Sequence, residues 1–121
     1  GTPYYLSPEI FNNEKYSQKT DIWSLGVLLY EMCALKIPFE GKSYHELHSN
    51  INLEKRDPIP NFYSKELSNI INICLTKDTN KRPSINKIID LNILSSRMYK
   101  FANENEFKLN NMNKLFYKNN E

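Results

Sequence analysis

Apolar residues recur with helical spacing over residues 20–35 of the chain. One stripe is Ile22, Leu25, Gly26, Leu29, Met32 and Cys33, and a second is Trp23, Val27, Tyr30 and Ala34. Both follow the 3.6-residue period. A helix that is apolar on two sides buries most of its surface. This segment is therefore expected to be the hub of a helical core and its most buried element. Ile37-Pro38-Phe39 follows it, and proline disfavours helical backbone in the residue before it.

The flanking pattern predicts further helices. Over residues 7–11, Ser7 suits an N-cap, Pro8 the first helical position, and Glu9 the positive end of the helix dipole. Ser43-Tyr44-His45-Glu46 has the form of a capping box. It opens a helix with Tyr44, Leu47, His48 and Ile51 on one face. Asp57-Pro58-Ile59-Pro60-Asn61 reads as a loop. A helix from residue 64 carries Leu67, Ile70, Ile71 and Cys74, and the polar run 76–82 reads as a second loop. Ser84 caps a helix with Ile85, Ile88 and Ile89 inward, and residues 93–101 form one more. No internal repeat and no convincing β-strand is present, so the expected fold is all-α.

Composition shifts at Asn103-Glu104-Asn105-Glu106, which marks a boundary between a domain over residues 1–102 and a tail over residues 103–121. Phe107, Met112, Leu115 and Phe116 could give the tail a weak amphipathic helix, but its polarity favours disorder. A chain of 121 residues is one domain or part of one. Its net charge of +2 argues against an obligate nucleic-acid partner. No apolar run approaches the ~18 residues of a membrane span, and none resembles a signal peptide. Cys33 and Cys74 stand alone in apolar helical patterns, so no disulfide is expected. A reducing cytoplasmic or nuclear setting fits best. His45 and His48 have a metal-ligand spacing, but no third ligand accompanies them, and capping and packing account for both. No metal site is expected. The lysines at 15, 19, 77 and 81 are interleaved with acidic residues and read as solvated surface.

Three motifs carry chemistry. They are Gly1-Thr2-Pro3-Tyr4-Tyr5-Leu6-Ser7-Pro8-Glu9, Asp21-Ile22-Trp23-Ser24-Leu25-Gly26 and Lys81-Arg82-Pro83-Ser84. In this order and at these spacings they resemble the C-terminal lobe of a eukaryotic protein kinase, with Ser-Pro-Glu as a variant of the Ala-Pro-Glu that closes the activation segment. The likeness covers residues 1 to about 101. Leu35-Lys36-Ile37-Pro38-Phe39-Glu40, Pro58-Ile59-Pro60 with Tyr63-Ser64-Lys65-Glu66-Leu67, and Ile93-Leu94-Ser95-Ser96-Arg97 narrow it to the NIMA-related serine/threonine kinases.

The resemblance implies roles. Gly1, Thr2, Pro3, Tyr4, Tyr5 and Leu6 would face the protein substrate, with residues 3–6 shaping the pocket for the residue after the phosphoacceptor. Thr2 would hydrogen-bond the catalytic base and its neighbouring lysine, since a hydroxyl donates and accepts at once. Glu9 and Arg82 would form a buried ion pair, and Asp21 would accept hydrogen bonds from the backbone of the catalytic loop. Local helix-dipole stabilisation is an alternative role for Asp21.

The same resemblance implies ATP and Mg as cofactors of the complete kinase, and protein substrates as partners. The missing N-lobe and catalytic loop would be partners too. No nucleic acid or membrane is implied. A working kinase needs a Gly-rich loop, a strand lysine paired with a helix glutamate, a catalytic-loop Asp and Asn, and the Asp of Asp-Phe-Gly. None occurs in this sequence. The expectation is a kinase fragment that begins at the end of the activation segment, is inactive alone and binds no cofactor. No catalytic base or metal ligand is assigned to it. The alternative is a non-catalytic helical interaction module, from a truncated gene product or a pseudokinase.

Overall fold

The computed structural model describes residues 3–104. The expectations for Gly1 and Thr2, and for the tail beyond residue 104, lie outside the described residues. Backbone contacts divide the chain into two units, residues 1–88 and 89–121.

The first unit opens with one 3₁₀ turn, Pro3–Tyr5. Helix α1 (Pro8–Phe11), α2 (Gln18–Ala34), α3 (Tyr44–Asn52) and α4 (Lys65–Cys74) follow, and α5 (Ile85–Ile89) runs to the boundary. No strand occurs among the described residues, so the fold is all-helical. Serine begins most helices. Ser17, Ser43 and Ser64 each stand in extended backbone and accept an N–H of the first turn, from Lys19 at 3.2 Å, Glu46 at 3.1 Å and Leu67 at 3.2 Å. Ser84 accepts the N–H of Lys87 at 3.3 Å. Ser7 precedes α1 in the same extended conformation, but its buried Oγ makes no capping bond.

Helix α2 starts two residues before the apolar pattern does. Its start is set by Ser17 and by Thr20, which accepts the Ser17 N–H at 3.1 Å. It ends at Leu35, whose φ of 58° is a left-handed cap more often occupied by glycine. The expectation that both faces are buried does not hold. Trp23, Val27 and Tyr30 are each 1% exposed, but Leu28 is 54% and Met32 64% exposed. Helix α4 packs on α2, whereas no described element packs over Leu28 and Met32.

The core joins Trp23, Val27 and Tyr30 to Phe39, Leu47, Ile51, Ile59, Ile71 and Leu75. Leu29, Cys33 and Leu67 pack against it from half-buried positions. Phe39 stacks on Trp23 at 5.6 Å. In α3, Leu47 and Ile51 are inward as expected, but Tyr44 is exposed, with its ring beside Phe11 at 4.9 Å. Glu46 gives only half of the expected capping box, because its carboxylate takes the N–H of Lys42 rather than that of Ser43. In α5 only Ile88 is buried. Ile85 and Ile89 are exposed, since a helix of five residues offers one residue to the core.

The second unit contains α6 (Asn92–Glu104), which is longer than the pattern predicts and buries none of its residues. No helix among the described residues is long and apolar enough to cross a membrane.

Candidate functional site

The turn Pro3–Tyr5 is closed by the Leu6 N–H donating to the Pro3 carbonyl at 3.2 Å. Tyr4 and Leu6 pack against the core. Tyr5 points outward, and its hydroxyl donates to Glu31 Oε1 of α2 at 3.3 Å. The Glu31 charge, with some desolvation, raises the Tyr5 pKa above its usual value.

Two turns of chain later comes Glu9, in the first turn of α1. It is 3% exposed, and Arg82 is fully buried. The guanidinium grips the carboxylate with both arms. Nη1 donates to Oε2 at 2.9 Å and Nη2 to Oε1 at 3.1 Å. The remaining donors are also satisfied. Nε donates to the Thr76 carbonyl at 2.8 Å, Nη1 to that of Lys19 at 2.7 Å and Nη2 to that of Lys77 at 3.2 Å. All five N–H groups of the fork therefore have acceptors. The guanidinium also lies 5.1 Å from the centre of the Trp23 ring. In return, Lys19 Nζ donates to the Arg82 carbonyl.

Burial is the strongest single influence on the Glu9 carboxyl and opposes its ionisation. Hydrogen bonds from Arg82 and the backbone, with the Arg82 charge, outweigh it and hold the pKa below its usual value. Thr20 adds a third bond, its hydroxyl donating to Oε2 at 3.1 Å. A buried ion pair with every lone donor occupied is the favourable form of such a pair.

Sequence reasoning named Glu9 and Arg82 but not Thr20, Lys19 or the carbonyls of Thr76 and Lys77. Ser17-x-x-Thr20 was the available signal, a capping pattern masked by the apolar stripe beginning at Ile22. Asp21 lies exposed in the first turn of α2, and its Oδ1 accepts from the Tyr16 hydroxyl. His48 is occupied by packing, stacked on Phe11 at 5.3 Å with Nε2 2.9 Å from Asn12 Oδ1. His45 is exposed. Among the described residues no group of three or more His, Cys, Asp and Glu could hold a metal ion. Both thiols are free, and burial pushes that of Cys74 up to about 11.

The order of these parts, a short turn, a buried Glu–Arg joint and a central helix, agrees with a family match over residues 1–93 to the protein kinase domain. The chain belongs to the protein kinase family. This kinase domain is similar to NIMA-related members. It is 46% identical over 101 residues to the human serine/threonine-protein kinase Nek5, covering 84% of this chain and 14% of that kinase. It is 48% identical over 92 residues to the probable serine/threonine-protein kinase nek3 of Dictyostelium discoideum, covering 75% of this chain and 8% of that kinase. The G2-specific protein kinase nimA of Emericella nidulans is 36% identical over all 121 residues, 16% of its own length. The chain spans less than a quarter of the length of the curated relatives it matches. Both Glu9 and Arg82 fall inside the matched kinase-domain residues, whereas α6 runs past them.

Proposed function

We propose that this chain is the substrate-facing, helical part of a NIMA-related serine/threonine kinase. The complete enzyme transfers the γ-phosphate of ATP to serine and threonine hydroxyls of proteins. The observation that carries this reading is the Glu9–Arg82 joint. It fixes the short segment bearing Pro3, Tyr4, Tyr5 and Leu6 to the core at one buried point. A loop that receives a protein substrate must hold its shape when the substrate arrives, because positioning supplies much of the rate in phosphoryl transfer.

In this reading, residues 1–102 are the lobe's helical part and Gly1, Thr2 and the Pro3–Tyr5 turn meet the acceptor protein. The Thr2 hydroxyl donates to the catalytic base and accepts from its lysine. Asp21 holds the backbone of the catalytic loop, a role for which its carboxylate is placed at the exposed start of α2. ATP with Mg supplies the phosphoryl group and is held by other parts of the enzyme. The exposed Leu28 and Met32, and a groove of about 390 Å³ bordered by Asp21, Ile22, Leu25 and Ile85, suit a surface covered by those parts. The two free thiols suit the cytoplasm or nucleus.

The same open face favours a second reading, a non-catalytic helical module that docks a partner there. Phosphate transfer separates the two. The complete polypeptide containing this chain should phosphorylate serine and threonine peptides, but not tyrosine peptides, with Mg-ATP. The 121-residue chain alone should show neither transfer nor Mg-ATP-dependent thermal stabilisation. Transfer by the purified chain, persisting after contaminating kinases are removed, would overturn the first reading. Inactivity of the complete polypeptide would favour the second.

A further inference from the structure

Thr20 is 6% exposed, and its hydroxyl stands between two structures that the sequence presents as separate. It accepts the N–H of Ser17, the cap of α2, at 3.1 Å. Its own proton goes to Glu9 Oε2, also at 3.1 Å. A hydroxyl has only one proton, so that proton is committed to Glu9. The same carboxylate oxygen receives Arg82 Nη1, which in turn donates to the carbonyl of Lys19, the residue before Thr20. The first turn of α2 is therefore wired into the Glu9–Arg82 joint at both the side chain and the backbone.

We propose that Thr20 is a positioning residue. It couples the start of α2 to the Glu9 carboxylate and so sets the placement of the segment that precedes Glu9. Valine could fill the same space but could supply neither bond, and Glu9 would keep its two bonds from Arg82 but lose its tie to the first turn of α2. Serine would keep both bonds. Within the kinase reading, on which this part rests, loosening Glu9 loosens the substrate-facing turn without reaching the nucleotide.

Hydrogen–deuterium exchange on the chain itself tests the coupling independently of any activity. In Thr20→Val, the amides of Phe11 and Asn12, which close α1, should exchange about tenfold faster, along with those of the first turn of α2. The amides of Ile70 and Ile71 in α4 should be unchanged, and Thr20→Ser should behave as the parent. Faster exchange confined to the first turn of α2 would reduce Thr20 to a local cap and overturn the proposal. A uniform acceleration through α4 would overturn it too, as general destabilisation. In the complete kinase, Thr20→Val should raise the KM for a peptide substrate about three- to tenfold and leave the KM for ATP unchanged, with Thr20→Ser restoring the parent value. An unchanged peptide KM in an active enzyme would also overturn the role. A parent kinase that transfers no phosphate would instead sink the kinase reading, and the exchange result would still decide the coupling.

Discussion

Gly26 of α2 and Cys74 of α4 approach so closely that a Cβ on Gly26 would stand 2.8 Å from the Cβ of Cys74. It would also lie 3.0 Å from the Leu75 side chain. Neither neighbour is the free end of a long chain, so the helices would have to part. Gly26→Ala should destabilise the fold by about 1–3 kcal/mol through overpacking, less the ~1 kcal/mol by which alanine favours a helix. Urea denaturation checks this, and an alanine variant more stable than the parent would contradict the close approach.

Removing one partner of the Glu9–Arg82 pair leaves the other buried and charged. Arg82→Met should cost roughly 3–5 kcal/mol. Arg82→Lys should restore little, since three rotatable donors replace a fixed fork of five. The pH dependence has a defined sign. The folded-state pKa of Glu9 is depressed, so its contribution is complete above the ordinary carboxylate value of about 4.3 and is lost as pH falls through the lower folded value. The Tm difference between the parent and Glu9→Gln should therefore shrink across the acid range as pH falls below the ordinary carboxylate value of about 4.3. A constant difference across that range would mean the carboxylate is not held ionised by the fold.

The two sides of α2 should respond differently to substitution. Trp23→Ala should cost about 3–5 kcal/mol, while Leu28→Gln and Met32→Gln should each stay within about 0.5 kcal/mol of the parent. The glutamine variants should also associate less at high concentration, as judged by gel filtration. A loss at Leu28 as large as that at Trp23 would show that the outer face is covered in the chain.

Cys74 should resist alkylation in the native protein near neutral pH, because its thiol is buried and its pKa is about 11. Unfolding in urea should expose it. Peptide mapping after iodoacetamide treatment should find label on the half-buried Cys33 before Cys74, and equal labelling of the two in the native state would contradict this environment.

The helical architecture was legible because apolar periodicity and serine caps are local signals. Ser43, Ser64 and Ser84 mark helix starts in the sequence and cap them in the structure. The extent of burial was not legible. Periodicity says which residues of α2 share a face, but only the neighbours decide whether that face is covered, and Leu28 and Met32 stay more than half exposed. Ile85 and Ile89 were placed inward for the same reason and lie exposed. Within the site, Glu9 and Arg82 came from motifs, whereas Thr20 required knowing which face of α2 turns toward α1. The carbonyls that receive Arg82 could not have been named in advance, because backbone acceptors carry no residue type.

The joint between Glu9 and Arg82 spans 73 positions of sequence. Contacts between neighbouring helices can form while most of the chain is still fluctuating, but this one requires closing a long loop of chain. Arg82 must also find carbonyls that exist in place only once the turn at Thr76 and the first turn of α2 are built. The segment bearing Tyr4 and Tyr5 should therefore settle late in folding. Weakening its anchor should hasten unfolding far more than it delays folding. The segment over residues 3–6 would then take its folded form only on molecules whose core is already complete.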